Sequence, residues 1–467
     1  MIDLDITTLA PHIARRDISP VELTQAYLDR IATHSNLNAY ISVDRERALG
    51  AARRAEAEIA RGNYREPLHG VPLAVKDLFK VKGMARTCGS AFFREAPATE
   101  NATSVARLEA AGAIILGLLN LHEFAFGPTG VNPHHGSARN PWNPNCVSGG
   151  SSSGSGCATA AHLGAATLGT DTGGSIRIPA SLCGVVGLKQ TYGLVSRHGI
   201  YPLSERFDHG GPLTRSVSDA ALMLAAIAGK DPNDPSTADA KTADYTAGLG
   251  QPITGMRIAL PNPIFFDHLH PEIESAVRAA ATVLADLGAK VGEIDLPFDI
   301  RTANKAWDIL ALTDGYRVHK AHLRDHGETL SPDVRERLLR GGEMTPERAA
   351  ESETIRAKTI ASMCSLMAET NALLMPTTPI PAVPIESCEI KISGKAIDAV
   401  KALGRLTRLA AFTGQPAISV PCGFTASGLP IGLQLVGRWY GEADLLRLAH
   451  AYEQATPWHR RRPPLRK

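Results

Sequence analysis

Val71-Pro72-Leu73-Ala74-Val75 reads as a short buried strand that runs directly into two charges, Lys76-Asp77. Residues 104–111 then carry the pattern of a helix, and residues 113–118 (Ala-Ile-Ile-Leu-Gly-Leu) that of a second apolar strand. Neither strand alternates polar with apolar positions, so both faces must be covered. Strand, helix, strand with fully apolar strands indicates an α/β protein around a buried, partly parallel sheet.

The same reading extends outward in both directions. Ser19-Pro20-Val21-Glu22 is a capping box with proline at the first helical position, and Leu23, Tyr27 and Ile31 follow at four-residue spacing. A second helix is expected over 45–61, stopped by Gly62. Residues 141–156, PWNPNCVSGGSSSGSG, show no periodicity and are expected as a loop, followed by a helix over 157–164 and a strand over 165–169. A glycine turn, Asp171-Thr172-Gly173-Gly174-Ser175, ends that strand. Helices are expected over 214–229, 271–288 and 442–455, a charge-rich helical region over 301–372, and strands near 417–421 and 431–436. No Pro-, Gly- or Ser-rich linker separates modules, so residues 1–467 read as one domain with a basic, flexible tail at 459–467.

Composition narrows the function. Of 467 residues 44% are hydrophobic and 21% charged, which excludes a disordered chain. The 49 basic and 47 acidic residues leave a net charge of +2, which argues against nucleic acid as main partner. The start, MIDLDITTLAPHIARRD, places acids where a secretion signal needs bases, and the apolar stretch 110–119 is half of the roughly twenty residues a membrane helix needs. Seven scattered cysteines without a C-x-x-C pair fit reduced thiols in a cytoplasmic enzyme.

Two loops carry the chemistry. Gly149-Gly150-Ser151-Ser152-Ser153-Gly154-Ser155-Gly156 and Thr170-Asp171-Thr172-Gly173-Gly174-Ser175-Ile176-Arg177 are each expected to lead into a helix. Glycines there let backbone N–H groups converge on a developing negative charge, and a serine among them is placed to attack a carbonyl. Either loop alone also fits a flexible Ser/Gly connection. None of the sixteen histidines stands in a partner motif for such a serine. Lys76, at the end of an apolar strand, is a better base: a free lysine titrates near 10.4 and burial lowers that value.

Taken together, Gly70–Asp77, Gly149-Gly150-Ser151-Ser152 and Asp171–Ala180, with an interval of 24 from Ser151 to Ser175, resemble the amidase signature family. Cys183–Lys189, Gly211–Val217, Pro376-Thr377-Thr378-Pro379 and Gly428–Gln434 extend the resemblance along nearly the whole chain. It implies a single α/β/α domain with a mixed, mainly parallel central sheet, and hydrolysis of a carboxamide to an acid plus ammonia or amine. It implies Ser175 as nucleophile, Ser151 after a cis peptide as bridging serine, and Lys76 as the ultimate base. It further implies an oxyanion hole from the N–H groups of Thr172, Gly173, Gly174 and Ser175. No metal or organic cofactor is expected, the substrate is a small amide, and a homodimer, common in the family, is compatible with the sequence. Phe126 and Gly127, with Gly149 and Gly150, are the expected substrate contacts; the aromatic content faintly suggests an apolar or aryl acyl group.

The chain departs from the family at Ser148, Ser153 and Gln190. An alternative within the family is the glutaminase subunit of a tRNA-dependent amidotransferase. That subfamily carries a segment like Ser-Ser-Leu-Asp-Gln-Ile-Gly-Pro, where this chain has Ser204-Glu205-Arg206-Phe207-Asp208-His209-Gly210-Gly211-Pro212; the missing Gln favours a stand-alone amidase. Outside the family, Gly150-Ser151-Ser152-Ser153-Gly154 formally matches the esterase elbow with Ser152 as nucleophile, although residues 141–148 make a poor preceding strand. His122-Glu123 opens a zinc-type H-E-x-x-H pattern that fails at Phe126.

Overall fold

In the computed structural model, which describes residues 1–65, 67–262, 264–392 and 394–465, the serine half of the first capping box forms, while no bond from the Ser19 N–H to the Glu22 side chain closes it among the described residues. Ser19 Oγ accepts from the N–H groups of Val21 and Glu22, and the helix Pro20–Thr33 follows. The next helix, Arg45–Ala60, is stopped at Gly62, whose φ of +85° is the left-handed region that glycine enters without cost.

The strand Pro72–Lys76 is buried at every position and lies between two parallel neighbours, Ile114–Leu119 and Ala166–Asp171. From there the sheet grows to eleven strands. Its order is Tyr40–Val43, Ile114–Leu119, Pro72–Lys76, Ala166–Asp171, His209–Thr214, Val186–Lys189, Ala417–Phe424, Pro430–Gly437, Ala372–Pro376, Arg257–Asn262 and Lys290–Asp295. Arg257–Asn262 pairs in parallel with both of its neighbours, while the central strands pair antiparallel, so the sheet is mixed. Tyr40 of the edge strand and the helices Arg45–Ala60 and Thr103–Ala110 pack into one hydrophobic core that also holds the sheet's far end.

Some boundaries differ from the expectation. Within 141–156, Asn143–Val147 forms a strand of a small hairpin with Arg139–Asn140, outside the large sheet. The following helix starts at Ser153 and ends at Ala160, four residues earlier than its side-chain pattern indicates. Its first turn is serine and glycine, which carry no hydrophobic periodicity, so the sequence hides it. The small residues are required by packing: a Cβ on Gly154 would fall 2.3 Å from the carbonyl oxygen of Ala39 and 2.5 Å from the amide nitrogen of Asn120. Region 301–372 resolves into three helices, Ile300–His326, Pro332–Gly342 and Pro346–Ala368. The strands His209–Thr214, Arg257–Asn262, Lys290–Asp295 and Ala372–Pro376 lie outside the sequence reading, as does a second hairpin, Glu389–Ile392 with Lys395–Asp398. Of the basic tail, residues 459–465 are described; Trp458–Arg460 is a short 3-10 turn, and the Arg461 guanidinium lies 4.0 Å from the centre of the Phe424 ring.

Gly154→Ala tests how closely helix Ser153–Ala160 must approach the sheet. Both neighbours are backbone, which cannot turn aside, so a loss of about 1–3 kcal/mol is expected, read as a lower denaturant midpoint with an unchanged slope.

Candidate active site

Lys76 ends its strand fully buried and surrounded by hydroxyls. Its Nζ lies 2.7 Å from Ser151 Oγ, 2.7 Å from Thr170 Oγ1 and 3.1 Å from Ser152 Oγ. Among the described residues, no carboxylate pairs with it directly. Burial therefore dominates and lowers the ammonium to about 7, with Asp208 and Asp171 opposing from farther away. Ser152 Oγ donates to the Thr170 carbonyl and accepts from the Thr170 N–H, so toward the amine it is an acceptor. Ser151 Oγ has no hydrogen-bond partner other than Lys76 among the described residues. Its proton, like that of Thr170 Oγ1, is not committed to another acceptor among the described residues and is free to move to an uncharged amine. The peptide bond between Gly150 and Ser151 is cis.

The second loop is built on a buried ion pair. Arg177 and Asp171 are both fully buried and meet in a two-pronged contact, Nη2 to Oδ1 at 2.9 Å and Nε to Oδ2 at 3.0 Å. Burial alone raises the Asp171 carboxyl; Arg177 more than offsets this and holds it down to about 2. The same carboxylate accepts from the Gly174 and Ile176 N–H groups at 2.7 and 3.1 Å, which shapes the turn on either side of Ser175. Arg177 Nη1 continues to the Thr407 carbonyl at 2.8 Å and Gln434 Oε1 at 2.6 Å. Gly174, with φ of +140°, has room for no side chain: a Cβ would fall 2.2 Å from Thr407 Oγ1. Below the loop, Lys189 Nζ lies 3.2 Å from His209 Nε2, and both groups are buried and shifted down, first by burial and then by positive neighbours.

Ser175 faces a cleft of about 610 Å³. Thr172 and Gly173 form its floor beside Ser175, and residues 125–128 and Leu203 form one wall. Trp307, Asp308, Ala311 and Leu312 from helix Ile300–His326, and Arg337 from helix Pro332–Gly342, form the other. Arg408 pairs with Asp308 at 3.1 Å and lies over the Trp307 ring. The Arg337 side chain has no hydrogen bond and no ion pair within 4.0 Å among the described residues; its guanidinium lies 5.7 Å from the centre of the Phe126 ring.

Several expectations meet this geometry. Lys76 and Ser151 are in contact, whereas the Ser151 and Ser175 hydroxyls share no hydrogen bond; their loops are joined by the Ser152 N–H donating to the Ser175 carbonyl at 3.3 Å. Of the four expected oxyanion donors, Gly174 is committed to Asp171, while no described side chain takes the N–H of Thr172, Gly173 or Ser175. Phe126 and Gly127 line the cleft. Gly149 and Gly150 are not among the lining residues: a Cβ on Gly149 would meet Pro179, and one on Gly150 the backbone of Gly130 and Gly127. Ser153, the departure inside the loop, is the first helical residue, and its side chain packs against Gly130. Ser152 is fully buried among Thr170 and Lys76, and the strand directly before it, Asn143–Val147, lies outside the large sheet, so the esterase elbow is not formed. The cationic wall is hidden in the sequence because Arg337 and Arg408 sit in charge-rich helical segments where one more arginine reads as a solvated face.

The amidase family model matches residues 22–446. A protein of Geobacter sp. (strain M21), named as the A subunit of glutamyl-tRNA(Gln) amidotransferase, is 39% identical over all of both chains. A solved structure described as a vestigial protein complex that reveals the evolutionary origins of an s-triazine catabolic enzyme superposes with a TM-score of 0.92 at 35% identity, covering 97% of this chain and 98% of that one. The native peptide amidase from Stenotrophomonas maltophilia does so with a TM-score of 0.86 at 33% identity, covering 99% and 98%. With the family model spanning most of the chain and relatives similar from end to end, this protein belongs to the amidase signature family and is a hydrolase of amide C–N bonds.

Proposed function

We propose that the chain, acting as one catalytic domain, hydrolyses a small carboxamide whose far end carries a negative charge, through an acyl-enzyme on Ser175. The observation that carries the substrate class is Arg337: a half-buried guanidinium without a direct partner among the described residues, in the same cleft as Ser175. Such a group is costly to leave unpaired, and a substrate carboxylate supplies the missing partner. This replaces the faint aryl preference suggested by the aromatic content.

The chemistry follows from the hydroxyl-bound amine. Neutral Lys76 accepts the Ser151 proton, Ser151 accepts that of Ser175, and Ser175 Oγ attacks the amide carbon. The approach of substrate closes the Ser151–Ser175 gap, as catalytic hydrogen bonds often tighten only in the complex. The N–H groups of Thr172, Gly173 and Ser175 hold the oxyanion, each worth roughly 3 kcal/mol. The proton returns through Ser151 to the leaving nitrogen, the C–N bond breaks, and ammonia or amine departs. Water then adds to the acyl ester by the same relay in reverse, releasing the acid and restoring Ser175.

A second reading concerns the fate of the ammonia. Full-length relatives named as the A subunit of glutamyl-tRNA(Gln) amidotransferase favour a protein that releases ammonia from glutamine within a larger complex over a stand-alone amidase. The replaced Gln weighs little against it. His209 occupies that place beneath the Asp171 loop, bonded to Lys189 and to backbone carbonyls, away from the cleft-lining residues. Seven unpaired cysteines suit a cytoplasmic setting, and a homodimer is compatible with this reading.

Mutation, pH and choice of substrate test these readings. Ser175→Ala is expected to abolish turnover, and Lys76→Ala to cost roughly 10²–10⁴-fold, with partial recovery in alkali where hydroxide substitutes for the base. In the unaltered protein kcat/KM is expected to rise with pH and level off above about 7, because the amine is the base only when uncharged and is lost as pH falls through that value; a flat profile across this range assigns the base elsewhere. Glutaramate is expected to be a better substrate than the neutral pentanamide. Arg337→Gln should remove that preference, a loss of roughly 1.5–3 kcal/mol or about ten- to a hundredfold. Release of ammonia from glutamine by the purified chain alone supports the stand-alone enzyme; release only when tRNA and a partner subunit are added supports the second reading.

A further inference from the structure

Asp333 and Arg337 stand four residues apart on helix Pro332–Gly342, the spacing at which an aspartate and an arginine pair with each other unaided. Here they do not pair. Asp333 Oδ2 lies 3.0 Å from His122 Nε2, and Arg337 is left without an ion pair within 4.0 Å among the described residues. We propose that His122 is a positioning residue for substrate selection: by occupying Asp333 it keeps Arg337 free for the carboxylate of the substrate. This rests on the reading of Arg337 given above.

His122 is placed to do this. Its ring is buried and packed flat against Gly127, where a Cβ would fall 2.2 Å from Cε1. Its backbone N–H donates to the Ser151 carbonyl at 3.0 Å, so the ring is referenced to the loop that carries the bridging serine. Nδ1 has no partner among the described residues, and Nε2 faces the carboxylate, so the ring proton belongs on Nε2 and is donated to Asp333. The helix cannot slide away from this contact, because Glu123 Oε2 accepts from both the N–H and the hydroxyl of Ser331, at 2.7 and 2.6 Å.

The other charges near Arg337 do not neutralise it. Asp308 is paired with Arg408, and Arg340 is positive. Glu336, the second carboxylate of this helix, is turned to Arg340 at 4.0 Å. Asp333 is thus the carboxylate that could swing onto Arg337 and fill the subsite from within. Burial opposes its charge, and His122 followed by Arg337 holds it ionised, down to about 2, so it stays a competitor throughout the working pH range.

The ratio of kcat/KM for glutaramate to that for pentanamide reads the effect, measured for the unaltered chain, His122→Ala, Asp333→Asn, the double variant and Arg337→Gln. His122→Ala is expected to lower the ratio about tenfold, through KM for glutaramate. Adding Asp333→Asn should restore it, because an amide no longer competes for the guanidinium. Asp333→Asn alone should leave the ratio equal or raise it, a result that stands even where His122→Ala does not fold. A ratio unchanged in His122→Ala, a double variant as low as the single, or a drop in Asp333→Asn overturns the proposal. If Arg337→Gln leaves the ratio unaltered, the anion subsite itself is wrong; if Arg337→Gln removes the preference and His122→Ala does not, only the role of His122 fails.

Discussion

An amine held away from water, with only hydroxyl oxygens to meet it, is the constraint on which the site depends. Lys76 stands on a strand with parallel neighbours on both sides, so neither solvent nor a mobile carboxylate reaches it. A direct aspartate partner would keep the ammonium charged and useless as a base. The nearest carboxylates instead act from a distance, Asp208 through a contact with Thr172 and Asp171 through its own ion pair with Arg177. The protein accepts a poorly solvated lysine, and the sheet around it, buried on both faces, bears the cost.

The acidic groups divide the labour. Asp171 shapes the turn that carries Ser175, and its charge is matched by Arg177. Asp208 accepts from Thr172 and from the N–H groups of Leu203 and Ser204, tying the cleft floor to the wall that Leu203 forms. Asp308 takes Arg408. With these assignments made, Arg337 alone among the charged cleft residues described keeps its charge unspent.

Much of this was legible in the sequence, for identifiable reasons. The strand before Lys76 is uniformly apolar and short, which only a doubly covered strand explains, and the N-cap at Ser19 is a local hydrogen-bond pattern that survives in the fold. Two glycine loops at fixed spacing carried the site, since close backbone approach leaves no room for other residues, as at Gly174. The hidden parts share a cause: they are decided by partners remote in the chain. The helix at Ser153 has no periodic face, the strand Lys290–Asp295 is mostly exposed and charged, and nothing local distinguishes Arg337 from Arg335 or Arg340. The contact beside Arg337, His122 with Asp333, joins residues 211 positions apart.

The link from Arg177 to Gln434 has a consequence for the timing of biosynthesis. Arg177, which anchors the Ser175 turn, closes on a strand 257 positions later, and on Thr407, 230 positions later. A ribosome that has made the first half of this polypeptide has produced Lys76, Ser151 and Ser175 but neither of these anchors. Contacts so distant form late and slowly. The turn that carries Ser175 therefore gains its last two supports only when the C-terminal segments dock, well after the ribosome has released it.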